Sequence, residues 1–150
     1  MTRFTFTRAM LLVACLVSPV AARAQGAGAP TLYQRLGGYD AIAGVTDDFI
    51  GRMASDAHLG KFFAGHATSS LQRIRQMVVD QLCAATGGPC VYVGKDMRIV
   101  HSGLGITGDD WDVAVGHLIA TLNKFRVKGP EQKDLLDIAG SLKADIVDKP

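Results

Sequence analysis

Apolar residues recur along this chain at helical intervals in four separate stretches, and that repeat limits the fold more than any other feature. Ile42, Val45, Phe49 and Met53 make the first stripe, and Leu71, Ile74, Val78 and Leu82 the second. Trp111, Val115, Leu118 and Leu122 make the third, and Leu135, Ile138, Leu142 and Ile146 the fourth. Steps of three and four residues put each set on one face of a helix, a face that must be covered by another helix. Start signals accompany the stripes. Asp40 is placed to cap the first helix and Ser69 or Ser70 the second, while Thr107 with Asp110 resembles a capping box at the third. Gly129-Pro130 opens the fourth in the order favoured at a helix N-terminus. Cys90 to Val93 favours β structure but is too short and isolated to build a sheet. The fold class is therefore all-α.

Between the second and third helices lie about twenty residues of irregular chain, an arrangement that an ordinary bundle does not need and that long functional connections often show. Gly87-Gly88-Pro89 opens this segment, and its centre is Met97-Arg98-Ile99-Val100-His101-Ser102-Gly103-Leu104-Gly105-Ile106. A short amphipathic piece thus presents one imidazole, His101, between larger elements. Neutral imidazole is a common metal ligand and the usual protein ligand to haem iron, although a lone histidine among apolar neighbours is more often a packed residue.

The first residues read as an export signal. Arg3 and Arg8 give a positive start, Met10 to Ala22 is apolar but too short to span a bilayer, and Ala22-Arg23-Ala24 is a small-x-small cleavage site. Residues 1–24 are then a signal peptide, 25–30 a flexible Gly/Ala-rich lead-in and 31–147 one domain, exported to the periplasm or secreted, with no transmembrane segment after cleavage. A rival reading takes Leu12-Val13-Ala14-Cys15 as a lipobox, but the apolar run continues past Cys15 and a good cleavage site follows. Losing Arg3, Arg8 and Arg23 changes the formal charge from +2 to −1. No basic, aromatic-interleaved patch remains, which argues against a nucleic-acid partner. Cys83 and Cys90 are the two cysteines left. Seven residues apart across a turn, in a compartment where disulfides persist, they either bridge or stay as two buried thiols.

Read in order, Leu32-Tyr33-Gln34-Arg35-Leu36-Gly37-Gly38, Val45 to Phe49, Phe62-Phe63, Gly87-Gly88-Pro89, Tyr92-x-Gly94, Met97-Arg98-x-x-His101 and Gly105-Ile106-Thr107 form a set of landmarks. Together they resemble the group I truncated haemoglobins, over roughly residues 31 to 147. The resemblance implies a globin whose helices pack two over two around haem b. It implies His101 as the proximal axial ligand to iron, Phe63 as the corner phenylalanine wedged against the porphyrin, and Met97 and Ile106 as packing neighbours. Tyr92, Lys95 and Arg98 lie near the rim by sequence, where they would either meet the haem propionates or remain solvated.

On the opposite face the chain departs from that family, whose members usually carry a tyrosine on the first long helix and glutamine on the second. Counting from Val45 and back from Gly87 places Ile50, Ile74 and Val78 there, and none of them donates a hydrogen bond. Gln81 and His66 are the polar residues near enough in sequence to compensate, while His58 and His117 read as surface or packing residues. The resemblance therefore implies a haem protein that binds oxygen, carbon monoxide or nitric oxide at a five-coordinate iron. Nitric oxide dioxygenation, weak peroxidase activity, a sensor or electron carrier closed by His66, and a cofactor-free helical module are the alternatives.

Overall fold

The structure is a computed structural model and describes residues 28–148. The expected signal peptide, Cys15 and the beginning of the lead-in lie outside the described residues. Among the described residues seven α-helices follow one another: α1 (Leu32–Leu36), α2 (Gly38–Ser55), α3 (Thr68–Ala85), α4 (Met97–His101), α5 (Gly108–Lys124), α6 (Gly129–Ser141) and α7 (Lys143–Ile146). A single 3-10 turn, Gly60–Phe62, forms the corner between α2 and α3. No strand occurs among the described residues, and Cys90 to Val93 is a connection on which Val91 and Val93 are exposed.

The helix starts follow local chemistry in two places and depart from the sequence reading in two. Thr107 and Asp110 form the reciprocal capping box at α5, and Pro130 sits in the first turn of α6. Asp40 caps nothing. The residue before α2 is Gly37, in the left-handed region at φ 98°, so α1 passes into α2 with no room for a separate cap and Asp40 falls in the first turn. There its charge complements the helix dipole. Neither Ser69 nor Ser70 caps α3, which starts at Thr68 behind an extended Ala67. The fourth stripe is also broken, because the chain leaves the helix at Leu142 between α6 and α7.

Helix α2 packs against both α3 and α5, and α5 against α6, so two helix pairs meet through α2. One core cluster joins Ile42 and Ala43 of α2 to Val79 and Cys83 of α3, with Tyr33, Leu36, Tyr39 and Leu82 around it. The other joins Val45, Leu122 and Leu135. Leu122 is completely buried, a contribution of roughly 1.5–3 kcal/mol from its side chain. A cavity of about 70 Å³ lies beside these clusters, lined by Leu36, Ile42, Val45, Leu82 and Phe125 among others, and none of its walls comes from α4.

The face of α3 that enters the core is not the one the stripe marks. Val79 and Cys83 are fully buried, whereas Leu71, Ile74 and Val78 are only half-buried. On a helix of 3.6 residues per turn, Ile74, Val78 and Gln81 lie on a face turned away from Val79 and Cys83. Helix α3 thus has one apolar face for its neighbour and a second that its neighbour does not cover.

Cys83 and Cys90 are bonded as a disulfide, their Cα atoms 5.7 Å apart, which ties the end of α3 to the segment leading to α4. Gly88 makes this closure possible. A Cβ there would stand 2.5 Å from the Tyr33 ring and 2.7 Å from the Cys83 sulfur.

Candidate functional site

His101 is the last residue of α4 and is half-buried. Asp96 starts this five-residue helix by accepting a hydrogen bond from the Arg98 amide at 2.8 Å. The His101 Nδ1 lies 2.9 Å from the Met97 carbonyl oxygen one turn earlier. A carbonyl only accepts, so Nδ1 carries a proton, and in the neutral ring Nε2 is then left with a lone pair. A neutral imidazole fixed in this tautomer and aimed by its other nitrogen is what a metal ligand requires.

Several apolar residues lie outside both core clusters. Phe49 and Ile50 on α2, Phe62 and Phe63 at the corner, Ile74 and Val78 on α3, and Met97 on α4 are all half-buried, and none belongs to either cluster. Ile106 is buried at the start of α5. Gln81 is half-buried, with no side-chain hydrogen bond among the described residues, and His66 is exposed in the loop before α3.

The expected rim residues separate. Tyr92 donates its hydroxyl proton to the Lys95 carbonyl at 2.7 Å, which makes it a brace within its own loop, and burial together with Asp96 raises its pKa. Arg98 is paired with Asp145 of α7. Lys95 is exposed and makes no ion pair among the described residues, so it is the rim cation still able to meet an anionic edge.

The two histidines read as bystanders are structural partners instead. His117 Nε2 lies 2.9 Å from Asp56 Oδ2, and His58 Nε2 lies 2.9 Å from Asp110 Oδ1. Asp110 also receives the Lys61 ammonium at 2.9 Å and both the amide and hydroxyl of Thr107, while only 2% exposed. Lys61, and then the Thr107 donors, hold the Asp110 carboxyl well below the usual carboxylate range. These bonds fasten the Phe62-Phe63 corner to α5. The capping box was visible in the sequence, but Lys61 lies 49 positions from Asp110, and no local signal reports such a pairing.

With this geometry in view, comparison with known proteins is decisive. The bacterial-like globin family matches residues 31–148. The chain belongs to the bacterial-like globins. The group 1 truncated hemoglobin GlbN of Mycolicibacterium paratuberculosis is 32% identical over 127 residues, covering 85% of this chain and 91% of that relative. GlbN of Nostoc commune is 31% identical over 119 residues, covering 79% and 98%. Among solved structures, the 2/2 hemoglobin of Synechococcus sp. PCC 7002 superposes with a TM-score of 0.71 at 25% identity, covering 79% of this chain and 98% of its own. The truncated hemoglobin of Tetrahymena pyriformis shares the fold, with a TM-score of 0.72 at 24% identity over the same shares. The globin is therefore an all-helical two-over-two fold, its cofactor is haem b, and it binds diatomic gases. The residues present fit that cofactor. An apolar plate needs an imidazole with a free nitrogen and apolar side chains not committed to the core; His101 has a ring nitrogen not engaged by the Met97 carbonyl, and Phe49, Phe63, Ile74, Val78 and Met97 are half-buried outside both core clusters.

Proposed function

We propose that this globin is an exported gas-binding protein in which His101 is the single axial ligand to haem iron and the opposite face is apolar. The observation that carries the axial assignment is the 2.9 Å contact of His101 Nδ1 with the Met97 carbonyl, which leaves Nε2 as the nitrogen free to coordinate. Iron held by one imidazole keeps a sixth position for oxygen, carbon monoxide or nitric oxide. In this reading Phe63 and Met97 pack against the plate, Ile106 supports the turn after His101, Lys95 meets a propionate, and Ile50, Ile74 and Val78 face the gas. Such a face admits diatomic ligands but gives an anionic bound oxygen no donor, which favours reversible binding over oxygen activation. Export is supported by the composition of residues 1–24 and by the Cys83–Cys90 disulfide, a bond that persists in oxidising compartments.

The test is an optical spectrum of purified protein in ferric, ferrous and carbonmonoxy forms, alongside His101→Ala. The wild type is expected to take up one haem and to be five-coordinate when ferrous, and the variant to lose haem or its histidine-ligated spectrum. Stoichiometric haem with an unchanged ferrous spectrum in His101→Ala overturns the axial assignment.

A further inference from the structure

The helix that carries His101 is too short to hold itself. Five residues form a single turn and a fraction, and an isolated helix of that length is not stable in water. Its polar bonds at the N-terminal end are internal, from Asp96 and from Met97 to His101, so they shape α4 without locating it. The helix that α4 packs against is α7.

Four hydrogen bonds join the residues around His101 to Asp145 and Asp148. Arg98 pairs with Asp145, three residues before the imidazole. After it, the amides of Gly103 and Gly105 both donate to one oxygen of Asp148, Oδ2, at 3.0 Å each. The Asp148 amide in turn donates to the Ile106 carbonyl at 3.0 Å. Gly103 and Gly105 have φ of 81° and 68°, a left-handed conformation that lets both N–H groups converge on a single acceptor. Alternating backbone conformations of this kind form a concave anion seat, and the carboxylate of Asp148 occupies it.

We propose that the Asp145–Asp148 segment is a clamp on α4 and that Asp148 is a positioning residue for His101. The inference rests on His101 being the axial ligand. Groups beyond the ligand that fix the direction of a coordinating histidine tune the metal, and losing one typically costs about 10- to 100-fold in metal affinity or activity. Here that task falls on the backbone on both sides of the histidine, because its own Nδ1 is already satisfied within α4. Displacing the turn at Gly103 would tilt α4 and with it the imidazole plane.

The experiment compares wild type with Asp148→Ala and Asp148→Asn in the full haem-loaded protein. It reads amide hydrogen exchange at Gly103 and Gly105, the iron–histidine stretching band of the ferrous form, and the rate of haem loss. Asp148→Ala is expected to speed exchange at both amides by at least about tenfold, since it removes the acceptor of both. It is also expected to shift or broaden the iron–histidine band and to raise haem loss several-fold. Because both amides converge on one oxygen, Asp148→Asn retains an acceptor there and should restore most of the wild-type band. Faster exchange with an unchanged band and unchanged haem loss would show that the clamp does not reach the imidazole, and unchanged exchange would refute the clamp itself. Failure of Asp148→Asn to restore the band overturns the hydrogen-bond account. If His101→Ala keeps the same band, the axial reading fails and not the clamp, so the two failures are distinguishable.

Discussion

Asp110, buried at the N-terminus of α5, binds the Lys61 ammonium from the corner at 2.9 Å across 49 residues of sequence. His58 reaches the same carboxylate oxygen, and a second pair, Asp56 with His117, runs alongside. The corner carrying Phe62 and Phe63 is thus tied to α5 by charge, and this has a consequence in acid.

Both Asp110 and Asp48 have carboxyls depressed below their ordinary value of 3.8, Asp110 chiefly by Lys61 and Asp48 chiefly by Lys124 and then Arg52. A depressed carboxyl contributes stability that is fully present above its unfolded value and is lost as pH falls through the folded one. Unfolding free energy, measured by denaturant titration, is therefore expected to drop as pH falls below about 4. The slope should be shallower in Asp110→Asn and in Asp48→Asn, and Asp110→Asn should also melt lower at neutral pH. Equal acid slopes in wild type and both variants would contradict this.

If Ile50, Ile74 and Val78 face the bound gas as proposed, oxygen should be the poorly retained gas. Bound oxygen carries partial negative charge, and a hydrogen bond to it is worth about 1.5 to 3 kcal/mol, or roughly one to two orders of magnitude in affinity. Ile50→Tyr, which introduces a donor on α2, should slow oxygen dissociation by about that factor and leave carbon monoxide within roughly twofold. Should the wild type already release oxygen slowly, and Gln81→Leu or His66→Leu accelerate that release, the donor is one of those two residues.

Reducing the bond between Cys83 and Cys90 should loosen the fold without destroying it. The two residues are separated by 7 positions, and closing so short a loop stabilises by about 2 to 3 kcal/mol on the chain-entropy account. Cys83→Ser is expected to lower the unfolding free energy by that amount while retaining the helical circular dichroism spectrum. Thiol titration of denatured protein cleaved before Gln25, which removes Cys15, should find no free thiol without reductant.

Thr46 on α2 is fully buried, and its hydroxyl has no hydrogen-bond partner among the described residues. A buried hydroxyl left unpaired costs about 1–3 kcal/mol. Thr46→Val keeps the branched shape and removes the polar atom, so it should raise the unfolding free energy by about 1 kcal/mol. A lower melting temperature would show that this hydroxyl does find a partner in solution.

How much of this was legible beforehand depends on range. The four long helices follow from apolar spacing, and the Thr107–Asp110 box from a pair three residues apart, because both are local consequences of helical geometry. Asp40 and the serines before α3 misled because a cap depends on where the chain leaves the previous element, and here Gly37 and Ala67 decided that.

The sequence by itself determined the four long helices, the single imidazole set between turns and the family that its landmarks resemble. Only the tertiary structure decided which face of α3 meets α2, that Val79 and Cys83 rather than Ile74 and Val78 are fully buried, and that α7 packs against α4. It also decided the partners of His58, His117, Arg98 and Asp148. The physical reason is one of distance along the chain. Helix formation reads neighbours three and four residues away, whereas a carboxylate finds its donors wherever packing brings them, and no residue near Gly103 announces that its acceptor lies 45 positions later.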